Sequence, residues 1–184
     1  MSEAKRGEGW AFTTIFDAWS RPLTAFVAAR GVTDVDDVVS EIFLGVFRSI
    51  GSFEGSESDF RSWIFRIARN KVADSFRSSG RQPVTIPLSP QRDIVGGDVE
   101  GDAFARLGVD RVAELLNGLT DDQSEVLLLR IIGDLSVADV AELMDRRPGA
   151  IKQLQRRALR RLELRLVSGE FATETRTPRA AQGR

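Results

Sequence analysis

Positively charged side chains concentrate in two stretches of the chain, residues 60–79 and 146–165. The first carries five basic residues against one acidic residue, a net charge of +4, and the second carries eight against one, a net charge of +7. Phe60, Trp63 and Phe65 are interleaved with the arginines of the first stretch. Arginine neutralises backbone phosphate and aromatic rings stack on unpaired bases, so both stretches are candidates for nucleic-acid binding.

Each charged group also has a simpler interpretation. Arginines can keep an amphipathic helix soluble, and helical periodicity alone favours a core position for the aromatic residues of 60–79. A third group is acidic and comprises Asp34, Asp36, Asp37 and Glu41. These carboxylates could complement a helix dipole, hold a metal or dock on a basic partner. The residue types alone favour the dipole, because acids at a helix start are mostly capping residues.

The residue types that are missing exclude whole classes of function. The 184 residues include no cysteine and no histidine. Disulfides, thiolate or imidazole metal sites, Ser-His-Asp triads and cysteine nucleophiles are therefore excluded. No GxxxxGK[ST] phosphate-binding loop is present either. We expect neither catalysis nor a cofactor.

The overall net charge is −1, from 26 basic and 27 acidic side chains, and this average alone would argue against a nucleic-acid partner. The average hides the separation of acidic and basic stretches along the chain. No stretch approaches the roughly 20 apolar residues of a membrane span, and residues 1–10 lack the apolar run of a secretory signal. We therefore expect a cytoplasmic protein with no direct membrane insertion.

The elements that must position these groups are helices. Apolar residues at helical spacing predict a first helix over residues 11–30, with a kink or a break at Pro22 and an end at Gly31. Thr33 or Asp34 is expected to open the second helix, which carries the acidic group. The stretch Gly51–Ser58 is predicted to be a loop. We expect Ser58 or Asp59 to cap a third helix that ends at about Ser78 and carries the first basic stretch.

Four more helical stretches are predicted after residue 102. The first covers 103–116, and Thr120-Asp121-Asp122-Gln123 has the capping-box pattern that opens the next. After a turn at Gly133-Asp134-Leu135, Ser136 is expected to cap a short helix. Arg146-Arg147-Pro148-Gly149 then turns the chain into the last helix, with Pro148 near its first position. These last two helices would form a helix–turn–helix. An α-helix is about 10–12 Å in diameter, so the second helix of this motif fits the major groove of DNA.

The sequence thus predicts an all-α fold, made of two small helical domains joined by a flexible linker. Residues 80–102 are the expected linker, because glycine, proline and acidic residues are dense there and no periodicity is sustained. The predicted divisions are a first domain at 10–79, the linker at 80–102, a helix–turn–helix domain at 103–167 and a disordered tail at 168–184.

The two halves together resemble a known family. Residues 34–78 read DVDDVVSEIFLGVFRSIGSFEGSESDFRSWIFRIARNKVADSFRS, and residues 119–162 read LTDDQSEVLLLRIIGDLSVADVAELMDRRPGAIKQLQRRALRRL. The first resembles the region 2 pattern of extracytoplasmic-function sigma factors of bacterial RNA polymerase, above all in F-x-x-W followed by I-A-R-N. The second is similar to region 4 of the same sigma-70 family. The resemblance implies a non-enzymatic transcription initiation subunit that directs core polymerase to promoters.

The resemblance also implies roles for single residues. The N-terminal domain is expected to dock on the clamp helices of the polymerase and to read and melt the −10 element, with the Gly51–Ser58 loop capturing a flipped base. The implied docking residues are Asp36, Asp37, Glu41 and Phe47. The implied −10 residues are Phe60, Trp63, Arg66, Arg69, Asn70, Lys71, Asp74 and Arg77. An anti-sigma protein and the polymerase flap are further implied partners.

The C-terminal domain is expected to read the −35 element in the major groove. The residues implied in that contact are Ser136, Arg147, Lys152, Gln153, Arg156, Arg157 and Arg160, with Ser136 and Arg147 on phosphates. The chain departs from the family at Gln153-Leu154-Gln155, where Ser/Asn-Arg-Leu is usual. We expect Leu154 to be the apolar anchor and Gln153 to face the bases, where glutamine can pair bidentately with adenine.

Two binding functions compete with this interpretation. A stand-alone helix–turn–helix regulator would bind duplex DNA as a dimer, but it leaves the F-x-x-W and I-A-R-N segment unexplained. A scaffold or anti-sigma-type protein would bind only other proteins and leaves the basic last helix unexplained. An enzyme is the weakest alternative, because no nucleophile and base can be paired.

Overall fold

The computed structural model describes residues 9–78, 112 and 115–168. The described part of the chain contains helices and no strand, in agreement with the predicted all-α fold. The helices are α1 (Gly9–Ala29), α2 (Val35–Ser49), α3 (Glu57–Ser78), α4 (Asp121–Ile131), α5 (Val137–Leu143) and α6 (Pro148–Val167), and a 3₁₀ turn (Ile50–Ser52) follows α2.

Helices α1, α2 and α3 pack on one another and form the N-terminal half. Their apolar stripes meet in a core where Leu23, Ile42 and Ile64 are completely buried. Phe26 and Phe65 meet edge to face in this core, with ring centroids 5.4 Å apart. Full burial of one such side chain contributes about 1.5–3 kcal/mol, so this core is what holds α3 and its basic residues in place.

Helix α1 runs through Pro22 without a break. Proline removes one backbone hydrogen bond, and the sequence predicted a kink or a break there. The helix continues because Leu23, Phe26 and Val27, which follow directly, are at most 1% exposed and are held by the core. At the other end, Gly31 adopts a φ of 77° and donates to the carbonyl of Ala28, as predicted for a C-terminal cap.

The residue that caps helix α3 is Ser56, which lies two residues before the earlier of the two predicted caps. Ser56 Oγ accepts from the Asp59 N–H at 3.3 Å, and Asp59 Oδ2 accepts from the Ser56 N–H at 2.7 Å. This reciprocal pair is a capping box, so the prediction of Ser58 or Asp59 as the cap is wrong. The hydrogen bonds from Ser56 also lower the pKa of Asp59 below its usual value.

Helices α4, α5 and α6 form the C-terminal half. The predicted capping box at Thr120 with Gln123 is confirmed, and so is the predicted cap at Ser136, which forms a capping box with Asp139. The turn between α4 and α5 requires glycine at 133, because a Cβ there would lie 2.6 Å from the Leu129 carbonyl oxygen. Helix α6 begins at Pro148, as predicted.

The two halves pack against each other, which the sequence did not predict. Helix α1 contacts α4, and α3 contacts α5. The buried apolar residues of both halves form one continuous cluster. The predicted linker at 80–102, most of the predicted helix at 103–116 and the tail beyond Ser168 lie outside the described residues.

Candidate nucleic-acid interface

Helix α6 presents a basic face to solvent. Ile151 and Ala158 are fully buried against the C-terminal core, so the opposite side of the helix must point outward. That outer face spans about 140° of the helix surface at 3.6 residues per turn. It carries the predicted residues Lys152, Gln153, Arg156, Arg157 and Arg160, all exposed. Four of these residues are cations, and among the described residues none of the four takes part in an ion pair, so their charges are available to a ligand.

The register of α6 is set by its apolar anchors. Leu154 is half-buried and packs against the core, as predicted from the unusual Gln153-Leu154-Gln155 sequence. Gln153 is exposed and Gln155 is half-buried. A register shifted by one residue would rotate each side chain by about 100° and bury Gln153 instead. The anchor therefore fixes Gln153 on the basic face.

Ser136 and Arg147 are the residues directly before α5 and α6. Ser136 Oγ accepts from the Asp139 N–H at 3.1 Å, which leaves the hydroxyl hydrogen of Ser136 free to be donated. Asp145 adopts a φ of 51°, which turns the chain toward α6. Arg147 is the exposed residue directly before α6, and its side chain makes no capping bond. Both predicted phosphate-binding residues therefore lie at helix starts, Ser136 at that of α5 and Arg147 at that of α6.

The aromatic residues of α3 differ in what they can reach. Phe60 is 3% exposed, and its ring packs with those of Trp19, Phe53 and Trp63. The prediction that Phe60 contacts DNA is therefore wrong for this conformation, because the ring is part of the core. Trp63 is half-buried and rests on Phe53, with ring centroids 5.1 Å apart. Trp63 is thus the aromatic side chain of α3 that can offer part of its surface to a base.

Three of the predicted −10 residues, Lys71, Asp74 and Arg77, form ion pairs within the N-terminal half. Lys71 Nζ lies 2.8 Å from Glu41 Oε2, so a predicted DNA contact and a predicted docking residue meet. Arg77 pairs with Asp74 one turn earlier on the same helix. Asn70 is exposed between these pairs and has no side-chain bond among the described residues.

Other arginines of α3 reach across to the C-terminal half. We call the following contacts the interdomain ion pairs: Arg61 with Asp134 at 2.9 Å, Arg66 with Glu142 at 2.5 Å, and Arg69 with Glu125 at 2.5 Å. Arg69 also donates to the carbonyl of Leu143 at 2.9 Å. Glu125 is buried and lies 3.9 Å from a second guanidinium, that of Arg30 at the end of the N-terminal half's first helix.

The acidic residues of α2 are exposed along one side of that helix. Asp36 and Asp37 occupy its first turn, where they complement the helix dipole. The hydrogen bond from Lys71, together with its positive charge, lowers the pKa of Glu41 below its usual value. Phe47 is half-buried, with its ring centroid 4.8 Å from that of Phe12. The structure thus places the four predicted docking residues on one helix, with the last of them anchored in the core.

The sequence analysis missed two groups of residues. Leu44 is 43% exposed and lies one turn after Glu41 on the same face of α2, so it adds an apolar contact to the acidic surface. Its position could have been found from the helical spacing. The acids of the interdomain ion pairs were also missed, because their partners lie 56 to 76 residues away in sequence. Glu125 directly follows the polar residues 121–124, so the local sequence did not mark it as buried.

We also searched the described residues for a metal site and for a membrane-spanning helix. No group of three metal-ligating side chains is found among them. None of the helices described is long and apolar enough to cross a membrane.

Comparison with known proteins identifies the same two regions. Residues 15–82 match the family model of sigma-70 region 2, and residues 110–162 match that of sigma-70 region 4. The ECF RNA polymerase sigma factor SigD of Mycobacterium tuberculosis is 31% identical over 180 residues, which cover 94% of this chain and 85% of SigD. The ECF RNA polymerase sigma factor BldN of Streptomyces coelicolor is 35% identical over 165 residues, which cover 88% of this chain but only 62% of BldN.

A solved structure resembles the whole arrangement. The structure of CnrH in complex with the cytosolic domain of CnrY superposes with a TM-score of 0.66 at 26% sequence identity. The match covers 91% of this chain and 94% of that chain. The likeness therefore extends over both helical halves.

Proposed function

Because this chain belongs to the extracytoplasmic-function sigma factors of the sigma-70 family, we propose that it directs core RNA polymerase to specific promoters. It recognises the −10 and −35 elements and promotes DNA melting when transcription starts. The observation that carries this proposal is the unpaired basic face of α6 on a capped helix–turn–helix, in one chain with a region 2 domain. In these terms the first domain covers 10–79 and the second 103–167.

The basic face of α6 is the −35 contact. The side chains nearest the start of the helix, Lys152, Gln153 and Arg156, reach base edges in the major groove. Arg157 and Arg160 lie further along the same face and bind the DNA backbone or the adjoining bases. Ser136 and Arg147 hold phosphates from the helix starts, which fixes the orientation of the domain on the duplex.

Helix α3 is the −10 contact. Trp63 stacks on an unpaired base, and Asn70 offers both donors and an acceptor to a base edge. The charged residues of the same helix, Arg66, Arg69, Lys71, Asp74 and Arg77, bind or orient the backbone. Unstacking a base costs a few kcal/mol, which stacking on an aromatic ring and phosphate contacts can offset. Phe60 takes no part in this contact and instead supports Trp63 from the core.

The acidic surface of α2 is the docking site for core polymerase. Asp36, Asp37 and Glu41 supply negative charge to the clamp helices, and Leu44 and Phe47 add apolar contact. Charge complementarity of this kind speeds association and fixes orientation more than it adds affinity. The C-terminal domain is expected to meet the polymerase flap.

A protein inhibitor is a further proposed partner. CnrH was solved in complex with the cytosolic domain of CnrY, and an anti-sigma factor of this kind would cover the docking and DNA-binding faces of the present chain. The chain acts in the cytoplasm as a binding subunit and not as an enzyme. It requires no cofactor, because the chemistry of RNA synthesis belongs to the polymerase.

In vitro transcription with core polymerase tests the proposal. The purified chain should direct core polymerase to start at discrete positions on a template library made from bacterial promoters. Arg156→Ala should reduce these transcripts, while Arg161→Ala, which removes the same charge from the same helix outside the proposed contact, should leave most of the activity. Tight sequence-specific DNA binding by the free chain, without any polymerase-dependent transcript, would instead support a stand-alone regulator.

A further inference from the structure

Glu41 of α2 and Lys71 of α3 join two surfaces that are proposed to bind different ligands. Lys71 Nζ and Glu41 Oε2 lie 2.8 Å apart, and the two side chains stay 32% and 55% exposed. We propose that this ion pair couples the polymerase contact of α2 to the −10 contact of α3. A polymerase cation that binds Glu41 releases Lys71 to DNA, and a DNA phosphate that binds Lys71 releases Glu41 to the polymerase. The coupling rests on the proposed function, which assigns a ligand to each member of the pair.

The position of the pair follows from the way α2 and α3 pack. The two helices approach closely at Gly45, where a Cβ would lie only 3.2 Å from Ile67 Cγ2. Glu41 lies one turn before Gly45, and Lys71 lies one turn after Ile67. Residues 41 and 71 therefore meet in the same antiparallel register as residues 45 and 67. The contact is set by the packing of the two helices and is not a chance meeting of two surface charges.

Each ligand competes with one member of the pair. A phosphate that approaches Lys71 also meets the negative charge of Glu41, which repels it. A polymerase cation on Glu41 cancels that negative charge, so the phosphate then binds more readily. The effect is reciprocal, because two coupled ligands change each other's affinity by the same factor. Exposed ion pairs shift an equilibrium by up to about fivefold, and we expect a coupling of about two- to fivefold here.

Other charges of the two helices lack this link. Asp36 is exposed in the first turn of α2 and forms no ion pair among the described residues. Arg48, the other cation that lowers the pKa of Glu41, lies on α2 itself. Arg77 pairs with an acid of its own helix. In the part of the chain that the structure describes, Lys71 is therefore the cation of α3 that pairs with the acidic surface of α2.

Binding of core polymerase in the absence of DNA tests the first direction. Lys71→Gln frees Glu41, so the full-length variant should bind core polymerase about two- to fivefold more tightly than the unchanged chain. Loss of a cation proposed to contact DNA then strengthens a contact with protein. Arg21→Gln is the control, because it removes one exposed positive charge from α1 and frees no acid of α2. It should leave the affinity for core polymerase as it is.

A double variant separates the ion pair from net charge. In a chain that already carries Glu41→Gln, the change Lys71→Gln should no longer tighten polymerase binding, since no carboxylate is left to free. Lys71→Arg keeps the charge and the pairing, and it should retain the affinity of the unchanged chain. An unchanged affinity of Lys71→Gln would overturn the coupling. Equal tightening by Arg21→Gln, or by Lys71→Gln in the Glu41→Gln chain, would overturn it as well.

Binding of single-stranded DNA by the free chain tests the opposite direction. Glu41→Gln should bind a fluorescent oligothymidylate of about 12 nucleotides about two- to fivefold more tightly than Asp17→Asn, which has the same net charge. Equal affinity of these two variants, or no binding by either, would refute the release of Lys71. Failure of the proposed function would show differently, because the unchanged chain would then not bind core polymerase at all. Failure of the coupling leaves that binding intact and removes only its dependence on Lys71.

Discussion

Replacing Gln153 by alanine should relax promoter recognition at one base pair of the −35 element. Gln153 is exposed on the basic face, and the half-buried Leu154 beside it fixes the helix register. A glutamine that pairs bidentately with adenine contributes about 1–3 kcal/mol of discrimination against other bases. Because 1.4 kcal/mol corresponds to a factor of ten, the preference for that base should fall roughly 5- to 140-fold.

The assay is holoenzyme binding to a set of promoter duplexes in which each −35 position is changed in turn. Gln153→Ala should flatten the preference at one position and leave the others as they are. Its thermal unfolding should match that of the unchanged protein. Removal of an exposed side chain without protein partners changes the free energy of unfolding by no more than about 0.5 kcal/mol.

Gln155→Ala is the matched control. It removes the same side chain two positions further along, on the half-buried side of the helix. It should leave base preference intact and affect only stability. An equal loss of binding to every duplex on Gln153→Ala, or a change in base preference on Gln155→Ala, would refute the register and with it the assignment of Gln153 to a base.

Three further predictions concern the elements that position the site. Ser56→Ala should destabilise the protein by about 0.5–2 kcal/mol in thermal or urea unfolding, because it removes the cap of α3. Gly133→Ala should destabilise it by roughly 1–3 kcal/mol, because the new Cβ would clash with a backbone carbonyl. Lys71→Gln should raise the pKa of Glu41 toward the ordinary glutamate value in an NMR titration. Since folding lowers the pKa of Glu41, its pairing stabilises the fold above the pKa of an unfolded glutamate, and this stabilisation disappears as the pH falls through the folded pKa.

The first two of these have a control in the same chain. Ser58→Ala should cost much less than Ser56→Ala, because Ser58 makes no capping bond to the backbone. Gly149→Ala should be neutral or stabilising, because nothing lies within 4 Å of a Cβ at that position. A titration of Glu41 that is unchanged by Lys71→Gln would mean that the Lys71 contact does not persist in solution.

Local signals in the sequence were sufficient for much of the fold. Three helix starts depend only on residues within one turn and were predicted: the capping box at Thr120, the cap at Ser136 and the start at Pro148. The start of α3 was misplaced because several serines and acids in 52–59 could each have formed a cap. Pro22 does not break α1, because the tertiary packing of the residues that follow it outweighs the loss of one helical hydrogen bond.

Contacts between residues far apart in the sequence could not be predicted from it. Periodicity places Phe60 and Trp63 on the same helix but does not separate a core ring from one that solvent can reach. The interdomain ion pairs join residues that are far apart in sequence, and nothing near any of them in the sequence indicates a partner. Their pairing follows from the way α3 meets α5, which no local pattern specifies.

The continuous apolar cluster also governs how the molecule unfolds. Because buried side chains of both halves belong to one cluster, melting either half uncovers apolar surface on the other. Free protein should therefore unfold in a single cooperative transition, with equal calorimetric and van't Hoff enthalpies, even though its two domains are separate units of sequence.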